Sequence, residues 1–173
     1  MHTADLSNLD MFTAWYENDP AMRITVNSPF YAATGNESSA VVYFEIEPGR
    51  YLGSHTDSAE EILLIVSGTV EATVGDEVGE QSAGQAALIP AMVPQGVRTI
   101  GSETARCVGF FSSANVASTF DQPLMPFGQK EVVTPPIEAA VWRQRRRQVC
   151  TLGISRRCNL HPGRGPARNQ KRR

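Results

Sequence analysis

The chain has 173 residues, enough for one ordinary domain with a sizeable core and too few for two. Its formal charge of −2 conceals a division: residues 1–141 hold 18 acidic and 5 basic side chains, a balance of −13, while residues 142–173 hold 11 basic side chains and no acid. No run approaches the roughly 18–20 apolar residues of a membrane helix, the N-terminal MHTADLSNLD lacks a basic-then-apolar signal pattern, and three cysteines do not form a secreted disulfide framework, so the expectation is a cytoplasmic protein.

In chain order, residues 9–16 predict a short helix: Asn8 or Asp10 can cap it, and Met11, Phe12 and Trp15 recur at helical spacing. Residues 1–21 are accordingly expected to be an N-terminal extension. Segments 22–26 and 30–33 read as short strands broken by Asn27, Ser28 and Pro29. In 40–47, Val42, Phe44 and Ile46 alternate with Val41, Tyr43 and Glu45, a clear strand stopped by Pro48-Gly49. Residues 62–66 are continuously apolar, which predicts a strand covered on both faces and, in an isolated barrel, a surface on which two chains pair. Ser67-Gly68 turns into the alternating strand 69–74, and Gly75-Asp76-Glu77 is a hairpin signal. A turn at 82–85 leads to a strand at 86–89. Pro90 and Pro94 bracket a loop that aims Gln95 inward, and 97–100 with 104–111 form a hairpin around Gly101-Ser102-Glu103. Residues 114–129, with two prolines, read as a strap over the barrel.

Many short strands punctuated by Gly and Pro indicate an all-β sandwich or barrel. The residues that carry chemistry lie between two of its glycines. Gly49, His55, Asp57, Glu61 and Gly68 follow the spacing G-x5-H-x-D-x3-E-x6-G, and His55, Asp57 and Glu61 all fall at odd positions, hence on one face of an extended chain. An imidazole and two carboxylates facing a sheet interior are costly unless they share a cation or a proton.

This spacing is similar to the first signature of the cupin superfamily, with Asp57 where the family usually has a second His. Gly84, Pro90 and Gln95 fit the second signature, with Met92 at the usual Gly, Gln95 at the usual His and Thr99 at the usual Asn. The resemblance covers about residues 39–112 and implies a double-stranded β-helix, the cupin-type jelly-roll barrel, over residues 22–129. It also implies a divalent metal (iron, manganese, zinc or nickel) held by His55, Asp57, Glu61 and Gln95. The chain looks like a quercetin dioxygenase-like single-domain cupin in size and signature. The resemblance implies either an oxygenase or isomerase of a small organic substrate, with Glu61 or His55 handling protons, or a non-catalytic cupin that binds a small molecule and whose metal site has decayed.

Each position keeps its plainer reading. His55 can be a hydrogen-bonded histidine at the barrel mouth, Asp57 can cap the Ser58-Ala59 turn, and Gln95 can merely hydrogen-bond Glu61 or substrate. Glu60 should face solvent. Tyr43, Phe44, Met92, Phe110 and Phe111 either line a pocket or are plain core. Residues 130–173 read as linker and basic tail, either disordered or translated out of frame, with nucleic acid a partner only if that tail is genuine. The spacing of Cys150, Cys158 and His161 matches no common zinc pattern.

Overall fold

The computed structural model describes residues 1–134, which lie within one compact unit, Met1–Glu138. The expectations for the basic tail fall outside the described residues. Among the described residues there are twelve strands and two 3-10 turns, Leu6–Asn8 and Ala32–Thr34. The strands are β1 (Phe12–Tyr16), β2 (Asp19–Phe30), β3 (Ala40–Ile46), β4 (Tyr51–Asp57), β5 (Glu61–Ser67) and β6 (Thr69–Val74). They continue as β7 (Glu77–Ser82), β8 (Ala86–Ile89), β9 (Gln95–Thr99), β10 (Ala105–Phe111), β11 (Val116–Met125) and β12 (Gln129–Thr134).

They join in the order β7-β6-β9-β4-β11-β1-β2-β3-β10-β5-β8, with β12 on β11 and a parallel β2–β4 contact closing the curve. The fold is all-β, a jelly-roll barrel of the double-stranded β-helix type. No helix among the described residues is long and apolar enough to cross a membrane.

Local chemistry fixes the turns. Gly49, Gly68 and Gly84, the glycines of the two sequence signatures, all have positive φ (74°, 81° and 86°), where a Cβ is strained. At Gly68 a Cβ would also stand 2.9 Å from the Ala105 Cα. Gly75 (φ 59°) and Asp76 form the two-residue hairpin that pairs Val74 with Glu77.

Several expectations are corrected. Residues 9–16 are not a helix: Phe12–Tyr16 is a strand, because pairing with β2 and β11 buries Ala14 and Tyr16 on one face, a tertiary gain that short-range helical spacing cannot match. The sheet therefore begins ten residues before Met22. Segments 22–26 and 30–33 are not two strands. The first lies within the single strand β2, the Asn27-Ser28-Pro29 break is only a register shift against β3, and Ala32–Thr34 is a 3-10 turn. Residues 114–129 are not a strap lying over the barrel: β11 is an integral strand between β4 and β1, and β12 carries the sheet past 129 to Thr134.

Strand β5 is covered on one face only. Leu63 and Ile65 are buried in the core, whereas Ile62 (48 % exposed) and Val66 (44 %) face outward beside Leu88 (60 %) and Phe110 (44 %).

Candidate functional site

The site is built by three neighbouring strands and one crossing turn. Strand β4 is flanked by β9 and β11, and the pairings His55↔Gln95, His55↔Phe120 and Asp57↔Ser118 set these side chains in register. A register shift between Leu52 and His55 alters the alternation there, so both residues, three apart, line the same cavity. The Ser58-Ala59-Glu60 turn then carries the chain from β4 to β5, and Glu61, the first residue of β5, faces back into the interior. Glu60 is exposed. His55, Asp57, Glu61 and Gln95 are thus all buried at one end of the barrel.

Their hydrogen bonds are specific. The His55 ring stacks on Phe120 (centroids 4.8 Å apart), and its Nδ1 lies 2.8 Å from the Gly53 carbonyl, to which it donates, leaving Nε2 to face Asp57 Oδ2 at 3.4 Å. Ser118 donates its hydroxyl to Asp57 Oδ1. The Gln95 amide nitrogen donates to both carboxylates, at 2.6 Å to Asp57 Oδ2 and 2.8 Å to Glu61 Oε2. Gly109 on β10 clears the space for the Glu61 carboxyl, since a Cβ there would collide with Oε1.

The electrostatics follow from this packing. Burial by itself would push the Asp57 carboxyl up, but His55, Ser118 and Gln95 outweigh it and hold the group below the ordinary carboxylate range. Burial would likewise lower His55, yet Asp57 and the Gly53 carbonyl hold it above its usual value. Glu61 lacks so close a cation. Burial, with some repulsion from Asp57 and against the Gln95 bond, lifts its pKa to about 7.

Above this polar floor lies a cavity of about 90 Å³ whose walls are mainly apolar. Phe44, Leu63, Val97 and Phe111 are buried along it, and Phe12, edge-on to Phe127 at 5.8 Å, stands at its half-buried outer end. Of the aromatic and thioether candidates, Phe44 and Phe111 line the cavity. Tyr43 is buried on the outer face, and Phe110 and Met92 (65 % exposed) point away. Thr99 is a structural residue whose hydroxyl donates to the Ile46 carbonyl at 2.9 Å.

Sequence reasoning missed Ser118 and Phe120. Their signal was the alternation of Val116, Ser118 and Phe120, which the reading of 114–129 as a strap over the barrel left unused.

In donor type, one imidazole nitrogen and three side-chain oxygens suit a hard or borderline divalent ion. The outward ties of His55 Nδ1 and Asp57 Oδ1 resemble the supporting bonds that orient metal ligands. As placed, however, the Gln95 amide stands between the two carboxylates, and among the described residues no three His, Cys, Asp or Glu side chains are grouped to hold one ion.

Residues 42–111 match the model of the cupin domain family. The barrel has the cupin fold. The cupin assignment agrees with the solved structures that share its architecture. Oxalate decarboxylase of Lactobacillus farciminis, in complex with formate, superposes with a TM-score of 0.55 at 18 % identity over 61 % of this chain and 33 % of that one. Oxalate decarboxylase of Bacillus subtilis, described by its Mn(II) centres, gives 0.52 at 17 % identity over 62 % of this chain and 30 % of that one. The chain thus spans about a third of the length of these proteins, and at such identity the likeness is one of fold. No curated protein matches the chain in sequence.

Proposed function

We propose that this cupin binds a small organic molecule in its barrel and holds a divalent metal at His55, Asp57, Glu61 and Gln95, as an oxygenase or isomerase of that molecule. The observation that carries the reading is the convergence of four buried polar side chains from β4, β5 and β9 on the floor of an otherwise apolar cavity. Such a concentration of desolvated charge is expensive without a ligand to justify it. The Mn(II) centres named for the Bacillus subtilis neighbour lend support to manganese, beside iron, zinc and nickel.

When bound, a divalent ion would polarise an oxygen atom of the substrate. The chain's own residues supply the rest. His55 and Asp57 are held in fixed orientation by Gly53 and Ser118, the phenylalanines exclude water, and Glu61, with a pKa of about 7, can give or take a proton at Oε1 or Oε2 near neutrality. Glu61 and His55 are the proposed acid–base groups. A homodimer formed through the outer face of β5, in the cytoplasm, completes the proposal.

One observation favours a second reading. Because the Gln95 amide satisfies both carboxylates, the quartet closes without an ion, as in a non-catalytic cupin that binds a small molecule. Calorimetric titration of the chelator-treated full chain with Mn(II) separates the two. Uptake of about one ion per chain, weakened at least tenfold in Glu61→Ala and strengthened in Gln95→His, is the result expected for a metal site. No uptake by the wild type or by Gln95→His leaves the metal-free reading.

A further inference from the structure

We infer that the barrel site admits an uncharged or cationic, mostly hydrocarbon molecule that donates a hydrogen bond, and rejects small carboxylates. The inference rests on the reading that the cavity is a small-molecule site and names the class of molecule.

The charge of the lining decides the sign. Among the described residues that line the cavity there is no Lys or Arg, and its ionisable groups are two carboxylates, Asp57 and Glu61, against one imidazole, His55. A carboxylate entering there would be a third acid in a desolvated space with one cationic partner, and that partner is already engaged by Asp57 at 3.4 Å. The selection is that of the metal-free site, in which these three ionisable groups alone set the field.

Hydrogen-bond capacity decides the polarity. Both N–H bonds of the Gln95 amide are spent on Asp57 and Glu61, the Ser118 hydroxyl is spent on Asp57, and His55 Nδ1 is spent on Gly53. What remains at the Glu61 end of the cavity is acceptor capacity, chiefly Glu61 Oε1, which rests in the space left by the missing side chain at Gly109; the Ser28 hydroxyl, on another part of the lining, is neutral and can donate or accept. A hydroxyl or amine can donate to Glu61 Oε1. A carboxylate cannot. The walls supply the remainder of the selection: Phe44, Phe111, Phe120 and Leu63 offer only apolar contact, so the body of the ligand is hydrocarbon. This sets the chain apart from the oxalate and formate named for its structural neighbours, with which it shares a fold.

Three probes of one shape test the inference: benzyl alcohol, benzylamine and benzoate, titrated into the chelator-treated full-length protein at pH 8, with binding read by calorimetry and by the shift in melting temperature. The expected result is binding of the alcohol or the amine, with benzoate at least tenfold weaker, and a gap narrowed to under threefold in Glu61→Gln, whose fold is checked by circular dichroism. Should that variant fail to fold, Asp57→Asn makes the same comparison. Benzoate binding as tightly as benzyl alcohol overturns the charge selection and leaves the small-molecule reading standing. A gap unchanged in the folded variants overturns the assignment of the selection to these carboxylates. No binding of any of the three overturns the small-molecule reading itself.

Discussion

Met92 occupies a position where the family pattern has glycine, and the backbone shows why: its φ is 64°, in the left-handed region, while its amide donates to the Asp57 carbonyl at 2.8 Å. An L-residue there costs roughly 1–2 kcal/mol, and glycine returns about half of that through the unfolded chain's extra freedom. Met92→Gly, which loses only an exposed side chain, should therefore raise stability by about 0.5–1 kcal/mol in urea denaturation. Glu61 sets a pH dependence in the metal-free protein. Its folded pKa of about 7 lies above the unfolded 4.5, so the folded state holds the extra proton between those values and stability falls as pH rises through the window, by an amount on the order of 3 kcal/mol in total. His55, also raised, contributes stability that is fully present below about 6.5 and is lost above its folded pKa. The lowered Asp57 acts oppositely, but only below about pH 4. Melting temperatures should fall from pH 5 to pH 8, and Glu61→Gln should flatten that slope. A Glu61→Gln profile as steep as the wild type's would show that Glu61 is ionised throughout.

At the scale of elements, the irregularity in β4 is what assembles the site. Within it the Gly53 carbonyl meets His55 Nδ1, and the missing side chain at Gly53 lets Tyr16 of β1 approach closely, for a Cβ there would lie 2.6 Å from the Tyr16 hydroxyl. Gly53→Ala should cost about 1–3 kcal/mol by overpacking, measurable as a lower denaturation midpoint with unchanged slope. The outer face of β8-β5-β10 presents Ile62, Val66, Leu88 and Phe110 with no described segment over them. The Arg106–Glu45 ion pair at 3.1 Å borders this face as a neutral pair, so it adds no like charge where two acidic barrels would meet. Light scattering should give the mass of two chains for the wild type and of one for Ile62→Lys. A wild-type monomer removes the dimer.

For the whole molecule the dominant long-range term is charge. With −13 over residues 1–141, self-repulsion opposes the compact state, and its range shrinks to about 3 Å at 1 M salt. The melting temperature should climb with potassium chloride and then level off. A steady decline would mean that attractive ion pairs, not repulsion, control the balance.

The barrel was legible in the sequence because its determinants are local. Positive-φ glycines at 49, 68 and 84, the alternation of Val42, Phe44 and Ile46, and the inward phase of His55, Asp57 and Glu61 are each properties of a few consecutive residues. The strand at 12–16 was not legible, since its apolar spacing fits a helix equally well and only pairing with β2 and β11 resolves it. Nor were Ser118 and Phe120, which reach His55 and Asp57 across some 60 residues of chain through strand register. The sequence by itself determined an all-β sandwich or barrel, which its resemblance to the cupin signatures narrowed to a jelly roll with one imidazole, two carboxylates and an amide in its interior. Tertiary structure alone decided that the amide bridges the carboxylates and that Glu61 lacks a close cation, because hydrogen-bond direction and burial depend on which strands meet and not on the order in which they are written.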